Sequence, residues 1–297
     1  MRRSLFWFNS AVPFDRHLYI HLLWEEIILC SLHGGQRNTT TNPAWIRHAC
    51  GLDLSSYCAP CERYLASEIV SQLETVTVRV PEFATRVQTL SIFLPKYSAK
   101  TIVPEFARCL ALLPNLTTLQ FHYNSSGYAL DDDLQRVFSQ YQYPNIQTLV
   151  IPCNIRSLRV LKACPKVRHL HFTSIERDYS GMDVCPSVEK FTGEAPEAPQ
   201  PSRPVPEFLR QLPNLKYLQM KLGASGPSSY YINPLYRAET LSPLRHLEVV
   251  EIAIMHPKAR KEAEALLASV DSVLARMPTM SGIHRRVELT DYTTQLD

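Results

Sequence analysis

Glycine is scarce in this sequence, with 9 residues in 297 against 22 prolines. Neither GxGxxG nor GxxxxGKS/T occurs, so the loops that let a backbone close around phosphate are missing, and with them the nucleotide chemistries they serve. GxSxG is missing as well, which removes the strained elbow that presents a nucleophilic serine. No long block of one charge sign is present either. The 31 basic and 28 acidic side chains leave a formal charge of +3. Arg2-Arg3 and Arg285-Arg286 are only pairs, and Lys258-Ala-Arg-Lys261 is diluted by the acids that follow it. General nucleic-acid affinity therefore has no electrostatic footprint.

Long hydrophobic runs are also wanting. The first is cut by Asp15 and Arg16, and the second, Leu18 to Leu32, is broken at its centre by Glu25-Glu26. Neither reaches the roughly 20 apolar residues that cross a bilayer, so no membrane partner is expected. The eight cysteines are scattered, without the short, dense framework of small secreted domains. These features predict an intracellular protein, cytoplasmic or nuclear, with reduced thiols. The Asn-x-Ser/Thr sequons at Asn38, Asn115 and Asn124 matter only in a secretory compartment.

What the sequence does have is a recurring hexad in which positions one, four and usually six are apolar. It appears as Val87-Gln-Thr-Leu90-Ser-Ile92, Leu116-Thr-Thr-Leu119-Gln-Phe121, Ile146-Gln-Thr-Leu149-Val-Ile151, Val167-Arg-His-Leu170-His-Phe172 and Leu215-Lys-Tyr-Leu218-Gln-Met220. Val188-Glu-Lys-Phe191-Thr-Gly193 is a degenerate copy. A seventh, Leu244-Arg-His-Leu247-Glu-Val249, fits with a spacing that could slip by a residue or more. Most are announced by one punctuation: Leu113-Pro-Asn, Tyr143-Pro-Asn, Cys164-Pro-Lys, Cys185-Pro-Ser and Leu212-Pro-Asn. Successive hexads start 29, 30, 21, 21, 27 and 29 residues apart, close to the period of about 20–29 residues of a strand-based repeat.

Alternation makes each hexad a short strand with one face in the core. Proline fixes φ and removes a donor, so it stops the preceding helix and sets up the strand. Helical periodicity fills the intervals at Ile102–Leu113, Leu130–Tyr141, Ile155–Ala163 and Val205–Leu212. Asp131–Asp133 places negative charge at a helix start, where the macrodipole favours it.

In these hexads the chain resembles the leucine-rich-repeat superfamily of the irregular-length kind, over about 87–252. The resemblance implies an α/β solenoid of about seven repeats, and an asparagine eight residues after the first apolar position. Asn124 and Asn154 stand there; the other repeats have Pro95, Ile175, Pro196, Gly223 and Ile252. Upstream, Leu18–Leu32 and Glu62–Leu73 read as helical, joined by a Thr-rich stretch. Leu22-Leu-Trp-Glu-Glu-Ile-Ile-Leu29 looks like a degraded F-box opening without the usual Leu-Pro start, and Pro81 to Leu90 is similar to the first repeat of fungal F-box proteins. That resemblance implies a Skp-type adaptor and a cullin ubiquitin ligase as partners, with Leu22, Trp24, Ile27 and Ile28 contacting the adaptor and the repeats holding substrate. The expected organisation is a helical segment at 1–80, a solenoid at 81–257 and a cap at 258–297. The cap carries a helix at Lys258–Met277 with Ala263, Leu266, Leu267, Val270, Val273 and Leu274 on one side. Two inserts, Gly193–Pro206 with five prolines and Gly223–Pro243 with Tyr230-Tyr231, read as long surface loops.

Strand alternation turns the remaining hexad positions away from the core. They hold Thr89, Ser91, Thr118, Gln120, His122, Thr148, Val150, His169, His171, Lys190, Thr192, Tyr217, Gln219, Lys221, His246 and Glu248. A solvated sheet face would look much the same, but polar and aromatic side chains in rows suit a protein-binding surface. Thr118, Gln120, His122, Thr148, His169, His171, Lys190, Tyr217, Gln219, Lys221, His246 and Glu248 are the candidate partner contacts. One constellation suggests metal or thiol chemistry: His48-x-Cys50 followed by Cys58-Ala-Pro-Cys61. Its seven intervening residues are fewer than common zinc modules use, and no βαβ unit surrounds it. Cys109, Cys153, Cys164 and Cys185 fall at element ends, where a free cysteine acts as a small hydrophobe. The sequence thus predicts a protein-recognition module with neither catalytic residues nor a cofactor. A ligase receptor and a scaffold without a ligase remain alternatives, and a zinc or thiol site at 48–61 is a third.

Overall fold

The computed structural model describes residues 26–29, 69–94, 99–123, 129–153, 157–175, 186–194, 212–222, 241, 244–256, 259–277 and 284–292. The class is α/β: parallel strands alternate with helices. The strands are β1 (Glu26–Leu29), β2 (Thr89–Leu94), β3 (Thr118–Tyr123), β4 (Thr148–Cys153), β5 (His169–Ile175), β6 (Lys190–Glu194), β7 (Tyr217–Leu222), β8 (Val249–Ile254) and β9 (Arg286–Asp291). The helices are α1 (Ala99–Ala111), α2 (Ala129–Phe138), α3 (Ser157–Lys162) and α4 (Arg260–Arg276). Residues 69–74 are also helical and run into a π-turn at Thr75–Arg79. The chain divides into two compact units, Met1–Leu149 and Val150–Asp297.

A single local design repeats in both. In the first unit, the N–H of Leu116 donates to the Leu113 carbonyl and that of Ile146 to Tyr143, each at 3.3 Å. In the second, Val167 donates to Cys164, Leu215 to Leu212 and Leu247 to Leu244, at 3.1–3.3 Å. These are β-turns, and proline occupies the second turn position in the first four, where its fixed φ fits. One carbonyl of a hexad then accepts two N–H groups of the next in several repeats: Gln88 O takes Thr117 and Thr118, and Glu189 O takes Lys216 and Tyr217. Asparagine adds a side-chain stitch. Asn145 Nδ2 donates to Pro114 O at 2.7 Å, Asn115 to Thr85 O at 2.5 Å and Asn214 to Pro186 O at 2.6 Å. Ser187 Oγ stands in for it with a bond to Pro165 O at 3.1 Å.

In the first unit, β1, β2 and β3 pair in parallel, with Ile27 opposite Leu90 and Leu90 opposite Leu119. Leu90, Ile92, Leu119, Phe121 and Leu149 are fully buried. Against them α1 brings Phe106 and α2 brings Phe138; the Phe106 and Phe121 rings stack at 5.7 Å, and Phe138 meets both edge-on. Tyr143 joins this cluster and donates its hydroxyl to the Ala107 carbonyl at 2.9 Å, which satisfies its one polar atom in the core. α1 begins at Ala99, three residues before its expected start, and Pro104, which the expected stretch already contained, lies inside the helix. Residues 26–29 correct the helix expected over Leu18–Leu32: they are a strand. A short apolar run carries no period long enough to separate the two, and here its β-branched Ile27 and Ile28 extend alongside β2. Leu22 and Trp24 lie outside the described residues.

In the second unit, β5 to β9 pair in parallel in chain order. Leu170, Phe172, Phe191, Leu218, Val250 and Ile252 form the inner row, and Phe172 meets Phe191 edge-on at 5.3 Å. Helix α4 packs at the β8–β9 end of this sheet, where Ala263, Leu266, Val270, Val273 and Leu274 are all buried as expected, while Leu267 is half-buried. Two expectations are corrected. Val249, not His246, is the register partner of Tyr217, so the seventh hexad is Leu247-Glu-Val-Val250-Glu-Ile252, three residues later. Leu244 is the turn residue that corresponds to Leu212. The C-terminal segment is also more than a helical cap, since Arg286–Asp291 adds β9 beside β8.

Candidate functional site

Positions three and five of each hexad face away from the core, and the two units clothe them differently. In the first unit, Thr89 pairs in register with Thr118, Ser91 with Gln120 and Phe93 with His122. Thr89, Thr118, Gln120 and Thr148 are half-buried, whereas Ser91 is buried. His122, expected as a partner contact, is 4% exposed. Burial lowers its pKa to about 3, so it is a neutral imidazole inside the unit and no contact surface. These side chains carry no charge.

In the second unit, register sets His169, Lys190, Tyr217, Val249 and Arg286 side by side. His171, Thr192, Gln219, Glu251 and Glu288 form the next row. Lys190 Nζ lies 4.3 Å from the centre of the Tyr217 ring. Lys221 Nζ lies 2.9 Å from His171 Nε2; an ammonium has only donors, so the imidazole nitrogen accepts. Burial lowers the pKa of His169, and the Lys190 charge adds to that against the opposing pull of Glu189. Glu251, buried, accepts the Tyr292 hydroxyl at 3.2 Å. Burial first, and then the Glu251 charge, raises the Tyr292 pKa. Arg286 Nε and Glu288 Oε1 are 2.5 Å apart. Such an arrangement can offer fixed donors, one aromatic plane and charges of both signs to a polypeptide.

Two expected contacts leave the site. His246 and Glu248 are exposed, but they precede β8 in the turn and its exit; Val249 and Glu251 take their places because the hexad is shifted by three. Thr192 and Val150, also expected on the outer face, are buried. Sequence reasoning missed Glu251, Arg286, Glu288 and Tyr292. The alternation of Arg286-Val-Glu-Leu-Thr was the available signal for β9, and it is weak because only two of the five residues are apolar.

The thiols that the structure describes are not set up for chemistry. Cys109 and Cys164 are free and buried. Burial pushes the Cys109 thiol up to about 11, so it stays protonated at neutral pH. No group of three His, Cys, Asp or Glu side chains is gathered for a metal among the described residues. His48, Cys50, Cys58 and Cys61 lie outside them. No described helix is long and apolar enough to cross a membrane. No protein-family model matches the chain, and no curated protein sequence shows significant similarity to it.

Proposed function

We propose that this chain is a protein-recognition module of leucine-rich-repeat type. Its strand-and-helix coils stack as a solenoid, and the outer face of β5–β9 contacts a partner protein. The observation that carries the reading is the lateral fixing of that face: Lys221 on His171 at 2.9 Å and Lys190 on Tyr217 at 4.3 Å. Long side chains held by their neighbours lose less rotamer freedom on binding, which is how a preorganised surface gains affinity. Tyrosine flanked by polar groups also has the composition of an interface centre. The recurring turn stitches explain how a sequence with irregular spacing keeps its rows aligned.

Adaptor docking by an F-box-like helix is not part of this proposal, because Ile27 and Ile28 belong to a strand. The test is capture of binding partners from cell extract by the full chain and by a His171→Ala/Tyr217→Ala variant with the same melting behaviour. Partners held by the native chain and lost by the variant support a recognition face. Identical capture by both would sink it. A Skp-type adaptor among the retained proteins would restore the ligase alternative.

A further inference from the structure

We propose that the edge of β9 is a self-association site, where a second copy of this chain adds its own β9 antiparallel to the first about a two-fold axis at Val287. This goes beyond the recognition face and stands on a different feature, the backbone edge where the described sheet ends after β9. The N–H of Arg286 donates to Glu248 O and that of Tyr292 to Ile254 O. In a parallel ladder alternate residues bond the same neighbour, so Arg286, Glu288, Thr290 and Tyr292 turn their peptide groups toward β8. The peptide groups of Val287 and Leu289 point the other way, where no strand stands among the described residues. An edge of this kind is a template for another strand.

The side chains of this last strand are also less covered than those before it. Val250 and Ile252 on β8 are fully buried, whereas their register partners Val287 and Leu289 are half-buried. A strand added beside β9 would cover both.

Charge selects the occupant. Charged side chains commonly guard a sheet edge, and a guard of one sign repels a second copy. β9 instead carries both signs on its outer row, with Arg286 and Glu288 two residues apart. A two-fold axis through the sheet keeps each outer row on the same face, so outer residues of one chain meet outer residues of the other. With Val287 opposite its own counterpart, Arg286 of each chain stands opposite Glu288 of the other, and the charges match twice. The two Val287 side chains meet on the opposite face, a β-branched pair suited to a sheet. Sliding one chain by two residues sets Glu288 against Glu288, which like charge disfavours. A parallel copy in register would set Arg286 against Arg286 and leave a new edge open, so assembly would not stop at two. The contact within one chain, Arg286 Nε to Glu288 Oε1 at 2.5 Å, does not oppose the pairing. Its side chains are 67% and 41% exposed; such pairs are worth little, and a carboxylate accepts from more than one donor.

The test is sedimentation velocity of the full chain in low salt over a wide range of concentration. The native chain should pass from monomer to dimer and stop there. Arg286→Glu and Glu288→Arg each put two like-charge contacts across the axis and should weaken the dimer about tenfold. Mixed in equal amounts, the two variants should dimerise with each other as the native chain does, because every contact again joins opposite charges. The double variant Arg286→Glu/Glu288→Arg should behave likewise, and misfolded chains would recover in neither way. Mild oxidation should cross-link Val287→Cys beyond the background of the native cysteines, since facing residues lie within disulfide reach. Leu289→Cys should not cross-link, its two copies standing four residues out of step. A native chain that stays monomeric or assembles without limit would overturn the proposal. So would single variants that dimerise as the native chain does, a mixture no tighter than its components, or cross-linking at Leu289 in place of Val287.

Discussion

The two units build their sheets from the same hexad and the same turn, yet they use the outward positions in opposite ways. In the first, threonine, serine and glutamine lie beside a buried neutral His122. In the second, the equivalent rows hold His169, Lys190, Tyr217, His171, Gln219 and Lys221, fixed by contacts between neighbouring strands. The inward positions hardly differ: Leu90, Leu119 and Phe121 in one and Leu170, Phe172 and Leu218 in the other, all buried. Inward residues therefore specify the coil, and outward residues are free to diverge. Where outward side chains are buried they belong to stability; where they are half-exposed and charged they are available to a ligand.

The strongest way to break this comparison is to attack the shared part. Phe121→Ala removes a ring packed between Phe106 and Phe138, and Phe172→Ala removes one packed edge-on against Phe191. Each should cost about 3–5 kcal/mol, the range for aromatic truncation in a packed core, read as a shift in urea unfolding. A loss below about 1 kcal/mol at either site would mean that the two cores are not equivalent.

Acid should separate the units next. His122 has its pKa lowered to about 3 by burial, against an ordinary 6.5. Below pH 6.5 the unfolded chain takes up this proton and the folded one does not, so the stabilising effect of a neutral His122 is complete above 6.5 and is lost as pH falls toward 3. The slope is about 1.4 kcal/mol per pH unit, or about 2 kcal/mol by pH 5. Melting followed against pH should show this decline in the native chain and a shallower one in His122→Asn. Parallel curves would mean that His122 titrates freely.

Much of this was legible in the sequence, because burying one face of a strand forces a period of two. Six hexads announce six strands, and each strand begins at the third residue of its hexad. The seventh was read three residues early, because Leu244 and Leu247 are both apolar and its proline, Pro243, stands just before the turn instead of at its second position. Of the outer face, the residues on β5–β7 were legible from alternation. Glu251, Arg286 and Glu288 were not, since finding them required the register of β8 and β9. Burial of Ser91, His122 and Thr192 was equally invisible, because alternation tells which side a residue faces but not what lies over it. The asparagine was sought late in the repeat, at Asn124 and Asn154; the described stitches come from the Pro-Asn turn instead.

Those stitches bear on whether the units share their coil mechanics. Asn145→Ala in the first unit and Asn214→Ala in the second each delete an amide-to-carbonyl bond at the surface. Each should cost about 1 kcal/mol, the net value of such a bond when water can replace it. Similar shifts in urea midpoint with unchanged slope would support one mechanism. A loss in only one unit would show that the turns there are held by the paired backbone bonds alone.

The smallest expected effect is the one most telling for function. Lys221→Ala removes the ammonium that bonds His171, but Lys221 is half-exposed and water can take over from either partner. Folding stability should change by less than about 0.5 kcal/mol, as for most surface substitutions. A larger loss, measured in the same urea series, would make the contact a structural brace and move β5–β7 into the class of the buried first-unit face. An unchanged midpoint leaves the lysine without a structural role large enough to measure. The gain from its contacts would then balance the entropic cost of holding its long side chain across a strand, so a ligand could engage the ammonium at little cost to the fold.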